Sequence, residues 1–302
     1  MVWSMETAIA QSTWNGHSMV GVLKRVLVCS PADAGWGKRD CAARWQELGF
    51  RHAIQGDLAS AQHDAMCREL QGMGAEVLTL PPSPELSLDA VYAHDASLPT
   101  DFGSIVLRPG KANRVGEAVQ QQQLYEQLGM PIFGHILPPA TAEAGDMVWV
   151  DSKTLLIGHG YRTNSTGIHQ IHELLAPKGI QVIAAPLPYG AGPSACLHLM
   201  SLISLLDETT ALADLAWLAV ETVEFLRSRA YSLIEIDSAE RETLAVNVLS
   251  LGRGRLLALE ENKRTNERLR RAGFDVRTFP GTELSINGGG GPTCLTRPLL
   301  RL

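Results

Sequence analysis

Asn262-Lys-Arg-Thr-Asn-Glu-Arg-Leu-Arg-Arg271, Ala272-Gly273 and Phe274-Asp-Val-Arg-Thr-Phe279 follow one another directly and read as a helix, its stop and a strand. Glycine adopts the left-handed conformation in which helices commonly end, and the alternating apolar residues after it suit a half-buried strand. The same succession recurs upstream. Residues 59–73 stop at Gly74 before Ala75-Glu-Val-Leu-Thr-Leu80, and residues 115–128 stop at Gly129 before Pro131-Ile-Phe-Gly-His-Ile-Leu137. Residues 168–176, with Gly179, precede Ile180-Gln-Val-Ile-Ala-Ala185; a long fourth helix over 210–229, carrying Trp217, runs almost directly into Tyr231-Ser-Leu-Ile-Glu-Ile236.

The junctions fall at 74, 129, 179, about 230 and 273, a spacing of roughly 45–55 residues that marks repeated supersecondary units. Each unit offers further strands, such as Arg25-Val-Leu-Val-Cys-Ser30, Ser104-Ile-Val-Leu-Arg108, Thr154-Leu-Leu-Ile-Gly158 and Arg255-Leu-Leu-Ala-Leu-Glu260. Five α/β units of this kind predict a closed radial arrangement, because a ring leaves few exposed sheet edges. A doubly wound parallel sheet is the competing architecture.

Composition narrows the function. The 302 residues are 45% apolar and 19% charged, with a net charge of −6 and no basic cluster longer than Lys263-Arg264 or Arg270-Arg271. Neither nucleic acid nor a membrane surface is therefore expected as a partner. Five widely spaced cysteines, Cys29, Cys41, Cys67, Cys196 and Cys294, form no metal-binding or disulfide pattern and point to free thiols in the cytoplasm. The opening residues lack the basic and apolar regions of a signal peptide, and no apolar run is long enough to span a membrane. Residues 1–23 read as an N-terminal extension and 24–302 as one catalytic domain. A homodimer is compatible with the chain. Residues 32–58, glycine-bearing and without clear periodicity, read either as a lid or as an ordinary surface loop.

In a ring of repeats, equivalent loops converge on the axis. After successive junction strands the chain offers Asp95; Glu143 and Asp146 in Glu143-Ala-Gly-Asp146; His198 in Leu197-His-Leu199; Asn247; and Cys294 after Asn287-Gly-Gly-Gly-Gly-Pro-Thr293. Acids, imidazole, amide and thiol together suit attack on a cationic carbon. Each residue taken singly also has an ordinary structural reading: turn acids for Asp95, Glu143 and Asp146, a core histidine for His198, and a small buried thiol for Cys294. Cys196 is two residues from His198, where side chains diverge, so it is not the expected thiol partner. Gly190-Ala-Gly192-Pro-Ser-Ala195 fits a loose dinucleotide-binding pattern, but Pro186 and Pro188 separate it from its strand and Pro193 removes an N–H. It reads as a turn. No cofactor or metal is expected.

These residues, with Arg108-Pro-Gly-Lys-Ala-Asn-Arg114-Val-Gly-Glu117 and Gly158-His-Gly-Tyr-Arg-Thr-Asn164, resemble the dimethylarginine dimethylaminohydrolases of the guanidine-modifying (amidinotransferase/arginine deiminase) superfamily, over about residues 24–298. The resemblance implies a five-bladed α/β propeller. It also implies covalent catalysis by Cys294 on a guanidinium carbon, through a thiouronium, to a citrulline-like ureido product and an amine. By analogy His198 is the acid and base, Asp95 and Glu143 hold the guanidinium, and Arg114 and Arg162 meet a substrate carboxylate. Either arginine could instead pair with Glu117 or Asp146. Arginine deiminases carry an aspartate two residues after the catalytic histidine where this chain has Met200, and His94 precedes Asp95 where the related hydrolases tend to have an acid. The exact guanidine thus stays open, as does transfer of the amidino group to an amine or a silent ligand-binding propeller.

Overall fold

Five three-stranded sheets account for the strands of the computed structural model, which describes residues 14–38, 43–193, 195 and 197–302. The expectations concerning Cys41 and Cys196 lie outside the described residues. β1 (Leu23–Val28) leads through α1 (Gly56–Gly72) into β2 (Glu76–Thr79), and the two strands pair in parallel. The next four units repeat this strand–helix–strand motif with an inner strand added in front. They comprise β3 (Ser97–Thr100), β4 (Gly103–Val106), α2 (Val115–Gln127) and β5 (Ile132–His135), then β6 (Met147–Asp151), β7 (Thr154–His159), α3 (Ser165–Leu175) and β8 (Gln181–Pro186). The third holds β9 (Ile203–Leu205), β10 (Thr210–Ala213), α4 (Val220–Ser228) and β11 (Ser232–Glu235), and the fourth β12 (Leu249–Gly252), β13 (Arg255–Leu259), α5 (Lys263–Arg271) and β14 (Asp275–Phe279).

In every one of these four units the first two strands are antiparallel and the last two parallel. β15 (Arg297–Arg301) then pairs antiparallel with β1, so the first unit receives its inner strand from the last part of the chain. This closes the five-bladed propeller and excludes a single doubly wound sheet. The middle strand of each blade is covered on both faces, which explains its apolar run: Leu27, Ile105, Ile157, Leu212 and Leu257 are all fully buried.

The glycine stops are where the period placed them. Gly74, Gly129, Gly179 and Gly273 have φ of +86°, +72°, +76° and +97°, and at the fourth junction Ala230 takes φ +61° instead. A side chain there costs about 1–2 kcal/mol, which the surrounding blade must offset. The long helix expected over 210–229 is a correction. Thr210–Ala213 is the buried middle strand β10, hydrogen-bonded to β9 and β11, and the helix begins only at Val220. A short Ala- and Leu-rich run has the same apolarity in either state, and here sheet pairing overrides its helix propensity.

The described residues just before β1 lie along β15: Asn15 donates from Nδ2 to the Arg301 carbonyl and accepts from the Arg301 N–H at Oδ1. The described residues of the 32–58 segment also pack onto the ring: Trp36 is buried with its indole N–H on the Leu88 carbonyl. Farther along the same segment, the Arg51 and His52 N–H groups donate to Asn287.

Candidate active site

The inner strand of each blade is preceded by one of the predicted polar residues: Asp95 before β3, Asp146 before β6, His198 before β9, Asn247 before β12 and Cys294 before β15. Equivalent position in the repeat thus becomes spatial convergence. Asp95, Arg114, Arg162, His198, Asn247 and Cys294 line one cavity of about 390 Å³. Glu143 and Asp146, each 0% exposed, stand behind its surface.

Cys294 Sγ lies 3.1 Å from Asn247 Nδ2. The other end of that amide, Oδ1, accepts the Thr293 N–H at 2.9 Å and the Thr293 hydroxyl at 2.5 Å. The glycine run makes this packing possible. A Cβ on Gly291 would lie 2.6 Å from Asn247 Oδ1, and side chains on Gly288 or Gly290 would collide with the Tyr92 ring. Only Gly289, at φ +88°, faces open space. The run therefore admits Tyr92 and Asn247 as well as leaving Gly288, Gly289 and Gly290 as a bare wall of the cavity.

His198 Nε2 is 2.7 Å from Glu143 Oε2. Burial works against an ionised Glu143, but the His198 hydrogen bond and charge, with Arg162, hold its carboxyl down at about 2. An ionised carboxylate only accepts, so Nε2 carries the proton in this bond. Glu143 Oε1 further accepts from the Gly110 N–H at 2.8 Å and from Arg162 Nε and Nη2 at 3.0 and 2.9 Å. Its oxygens are thus taken up in orienting His198 and Arg162.

Asp95 accepts from Gly145 N–H at 2.9 Å and from Arg114 Nη1 at 2.6 Å. Burial would push it up, yet His198, Arg114 and His94 hold it well below the usual carboxylate range. Arg114 also grips Glu117 through Nε and Nη2 and reaches the Tyr92 carbonyl at 2.9 Å. The sequence left the arginines' partners open, and the structure pairs Arg114 with both Asp95 and Glu117 and Arg162 with Glu143. Asp146 accepts the Leu199 N–H at 2.9 Å, which fixes the backbone next to His198. Burial pushes its carboxyl up to about 6, with His198 the main opposing influence.

Asp95, Glu143 and His198 bring three donor atoms within 4.8 Å of one another, a spacing that could also accept a metal ion. Both carboxylates already face arginines, which compensates their charge without one. Gly145 belongs to the candidate site by its packing, with no separate sequence signal. A Cβ there would stand 2.5 Å from His198 Nδ1 and 2.8 Å from Asp95 Oδ1, so only glycine lets acid and imidazole approach. Gly190 and Gly192 sit at φ +57° and +84° in a loop, Gly190 lining the cavity, as the turn reading expected. The apolar wall includes Leu197, Trp217, Leu244 and Val246, and at the rim Arg241 pairs with Asp214 and lies over Trp217.

A thiol, an imidazole–carboxylate pair and a buried acid thus meet at the centre of five αβ blades, the arrangement that the resemblance to the guanidine-modifying enzymes implied. The family model for arginine deiminase matches residues 214–301. The N(G),N(G)-dimethylarginine dimethylaminohydrolase of Pseudomonas aeruginosa is 29% identical over 245 residues, covering 80% of this chain and 90% of that protein. The solved structure of that Pseudomonas aeruginosa enzyme, as a cysteine-to-serine mutant with citrulline, superposes with a TM-score of 0.74 at 25% identity, over 92% of this chain and all of the other. An uncharacterized protein of Bacillus subtilis, YkgA, is 25% identical over 93% of both chains. These matches support a dimethylarginine dimethylaminohydrolase-like member of the amidinotransferase/arginine deiminase superfamily.

Proposed function

We propose that this protein is a cysteine-dependent hydrolase that converts a guanidine to a ureido compound and an amine. The observation that carries the reading is the shared cavity of Cys294, held at sulfur by Asn247, with His198, held by Glu143, and the ionised Asp95. Asp95 favours a cationic substrate at the cavity surface and orients its guanidinium. The Cys294 thiolate adds to the central carbon, and the carbon–nitrogen bond to the departing amine breaks as His198 supplies its proton. Water then adds to the thiouronium and gives His198 a proton. The carbon–sulfur bond breaks, releasing the ureido product and the thiolate. A near-neutral imidazole suits both proton transfers.

Glu143 and Asp146 act in this reading as positioning residues for His198, while Arg114 and Arg162 hold the acids and border the substrate. N-substituted arginines and related guanidino compounds are the substrate class, by likeness to relatives named for dimethylarginine and arginine. Residues 24–302 serve as the catalytic unit, in a cytoplasmic setting that suits the free Cys29, Cys67 and Cys294. No described helix is long and apolar enough to cross a membrane. Self-association as a homodimer is checked by sedimentation.

The decisive assay incubates the protein with methylarginines, arginine, agmatine and guanidino acids and measures ureido product by colour. Formation of that product by wild type and its loss in Cys294→Ser support the reading. No product from any guanidine, or undiminished turnover in Cys294→Ser, sinks it. Adding glycine or ornithine and finding a new guanidine by mass spectrometry would reassign the chemistry to amidino transfer.

A further inference from the structure

A second, smaller cavity lies on the inner-strand side of the nucleophile's turn. Its volume is about 30 Å³, and it is walled by Ser204 of β9, Ser250 of β12, Arg297 and Arg301 of β15, and by His94 and His17. Thr293, the residue before the nucleophile, also borders it. Arg297 and Arg301 are 6% and 5% exposed. Neither forms an ion pair with a carboxylate among the described residues; their Nη1 groups donate to backbone carbonyls instead, of His94 and Ser97 for Arg297 and of Gly21 and Ser250 for Arg301. Four buried nitrogens around the same space lack a hydrogen-bond partner among the described residues: Nε of each arginine and Nε2 of His94 and His17.

This arrangement is unusual on energetic grounds. A buried charge is ordinarily paired, because an isolated ion in a low-dielectric interior is costly, and carbonyl dipoles supply only part of a counter-charge. The Nε–H groups of the two guanidiniums and the Ser204 hydroxyl present donors, and no acid among the described residues lines the cavity. Its volume exceeds the roughly 10–15 Å³ that one water requires, yet leaves no room for an organic anion. We propose that this axial cavity binds a small monovalent anion of halide size.

The anion is the counter-charge of Arg297 and Arg301 and joins β15 to the inner strands β9 and β12. The site is separate from the cavity that holds Cys294 Sγ, and it does not depend on which guanidine the enzyme turns over. Occupancy favours the closed ring, since a ligand bound only by the folded state raises stability by mass action.

The test uses the full chain dialysed into sodium gluconate. Chloride or bromide is then titrated at constant ionic strength, and thermal melting is followed. The expected result is a saturable rise in Tm of several degrees with either halide, together with an anomalous bromide peak beside Arg297 and Arg301 in crystals grown in bromide. Arg301→Met should abolish the halide-dependent increment whatever its own Tm. Should that variant not fold, Ser204→Ala should raise the halide concentration for half-maximal effect at least several-fold. Equal melting in gluconate and chloride overturns the proposal and leaves the cavity to water. A bromide peak without a solution response overturns it as well, as binding at crystal concentration only.

Discussion

The side-chain amide of Asn247 holds the turn of Cys294 from both sides: its Nδ2 is 3.1 Å from the sulfur, and its Oδ1 receives the N–H and hydroxyl of the preceding Thr293. A donor to sulfur favours the thiolate over the thiol. Asn247→Ala is expected to slow alkylation of Cys294 about tenfold or more, since a hydrogen bond to a charged group contributes about 1.5–3 kcal/mol. Iodoacetamide kinetics with peptide mapping measure this. Unchanged modification of Cys294 would remove Asn247 from the nucleophile's activation.

In the proposed reaction Glu143 acts chiefly by orienting His198, so its loss should fall mainly on kcat. Glu143→Gln keeps the shape but removes the charge that faces His198 and Arg162. A fall in kcat of about 100-fold with a small change in KM is expected, the scale on which general acid–base groups contribute. Steady-state kinetics with the best substrate of the guanidine panel decide it. A raised KM at constant kcat would instead make Glu143 a substrate anchor.

Two glycines separate a packing effect from a backbone effect. Gly145→Ala drives a methyl into His198 and Asp95 and should lower kcat at least about 100-fold by displacing them. Gly289→Ala meets nothing within 4 Å but imposes a side chain at φ +88°, and should lower stability by about 1–2 kcal/mol. Urea midpoints and kcat of both variants test the contrast, and equal activity losses would refute it.

Asp146 gives a pH signature. Its carboxyl rises from 3.8 to about 6 on folding, chiefly through burial, so the folded chain holds this proton more tightly than the unfolded one. That stabilisation is complete below pH 4 and disappears as pH rises through 6. By linkage it amounts to something on the order of 3 kcal/mol. Asp146→Asn should flatten the stability profile between about pH 4 and 6, measured by urea unfolding at several pH values. An unchanged difference between wild type and variant across that window would contradict the burial argument.

The outer architecture was legible because helix stops and middle strands carry local signals: Gly74, Gly129, Gly179 and Gly273 at the caps, and uninterrupted apolar runs in strands buried on both faces. The inner strands were harder. Ile203–Leu205 has three residues and Ser97–Thr100 contains Pro99, too little pattern for a period of two to emerge. Thr210–Ala213 shows the limit of propensity, since its state is set by pairing with β9 and β11 and not by its own residues. The loops that converge on the cavity could be found by counting along the repeats. The allegiance of Arg114 and Arg162 could not, because whether an arginine meets substrate or the protein's own carboxylates depends on distances that only the fold sets. Gly145 was hidden for the same reason, its neighbours His198 and Asp95 being about fifty residues away on either side.

The antiparallel pairing of β15 with β1 ties the place of Cys294 to the closure of the ring. Cys294 lies on the turn that feeds the latch strand, and its own carbonyl accepts the His94 N–H from the neighbouring blade. A chain whose other four blades have formed but whose seam is open has the imidazole and the acids in register, and no thiol beside them. The thiol thus stands beside the imidazole and the acids only while β15 is paired with β1, and the reactivity of one sulfur reports whether that seam is closed.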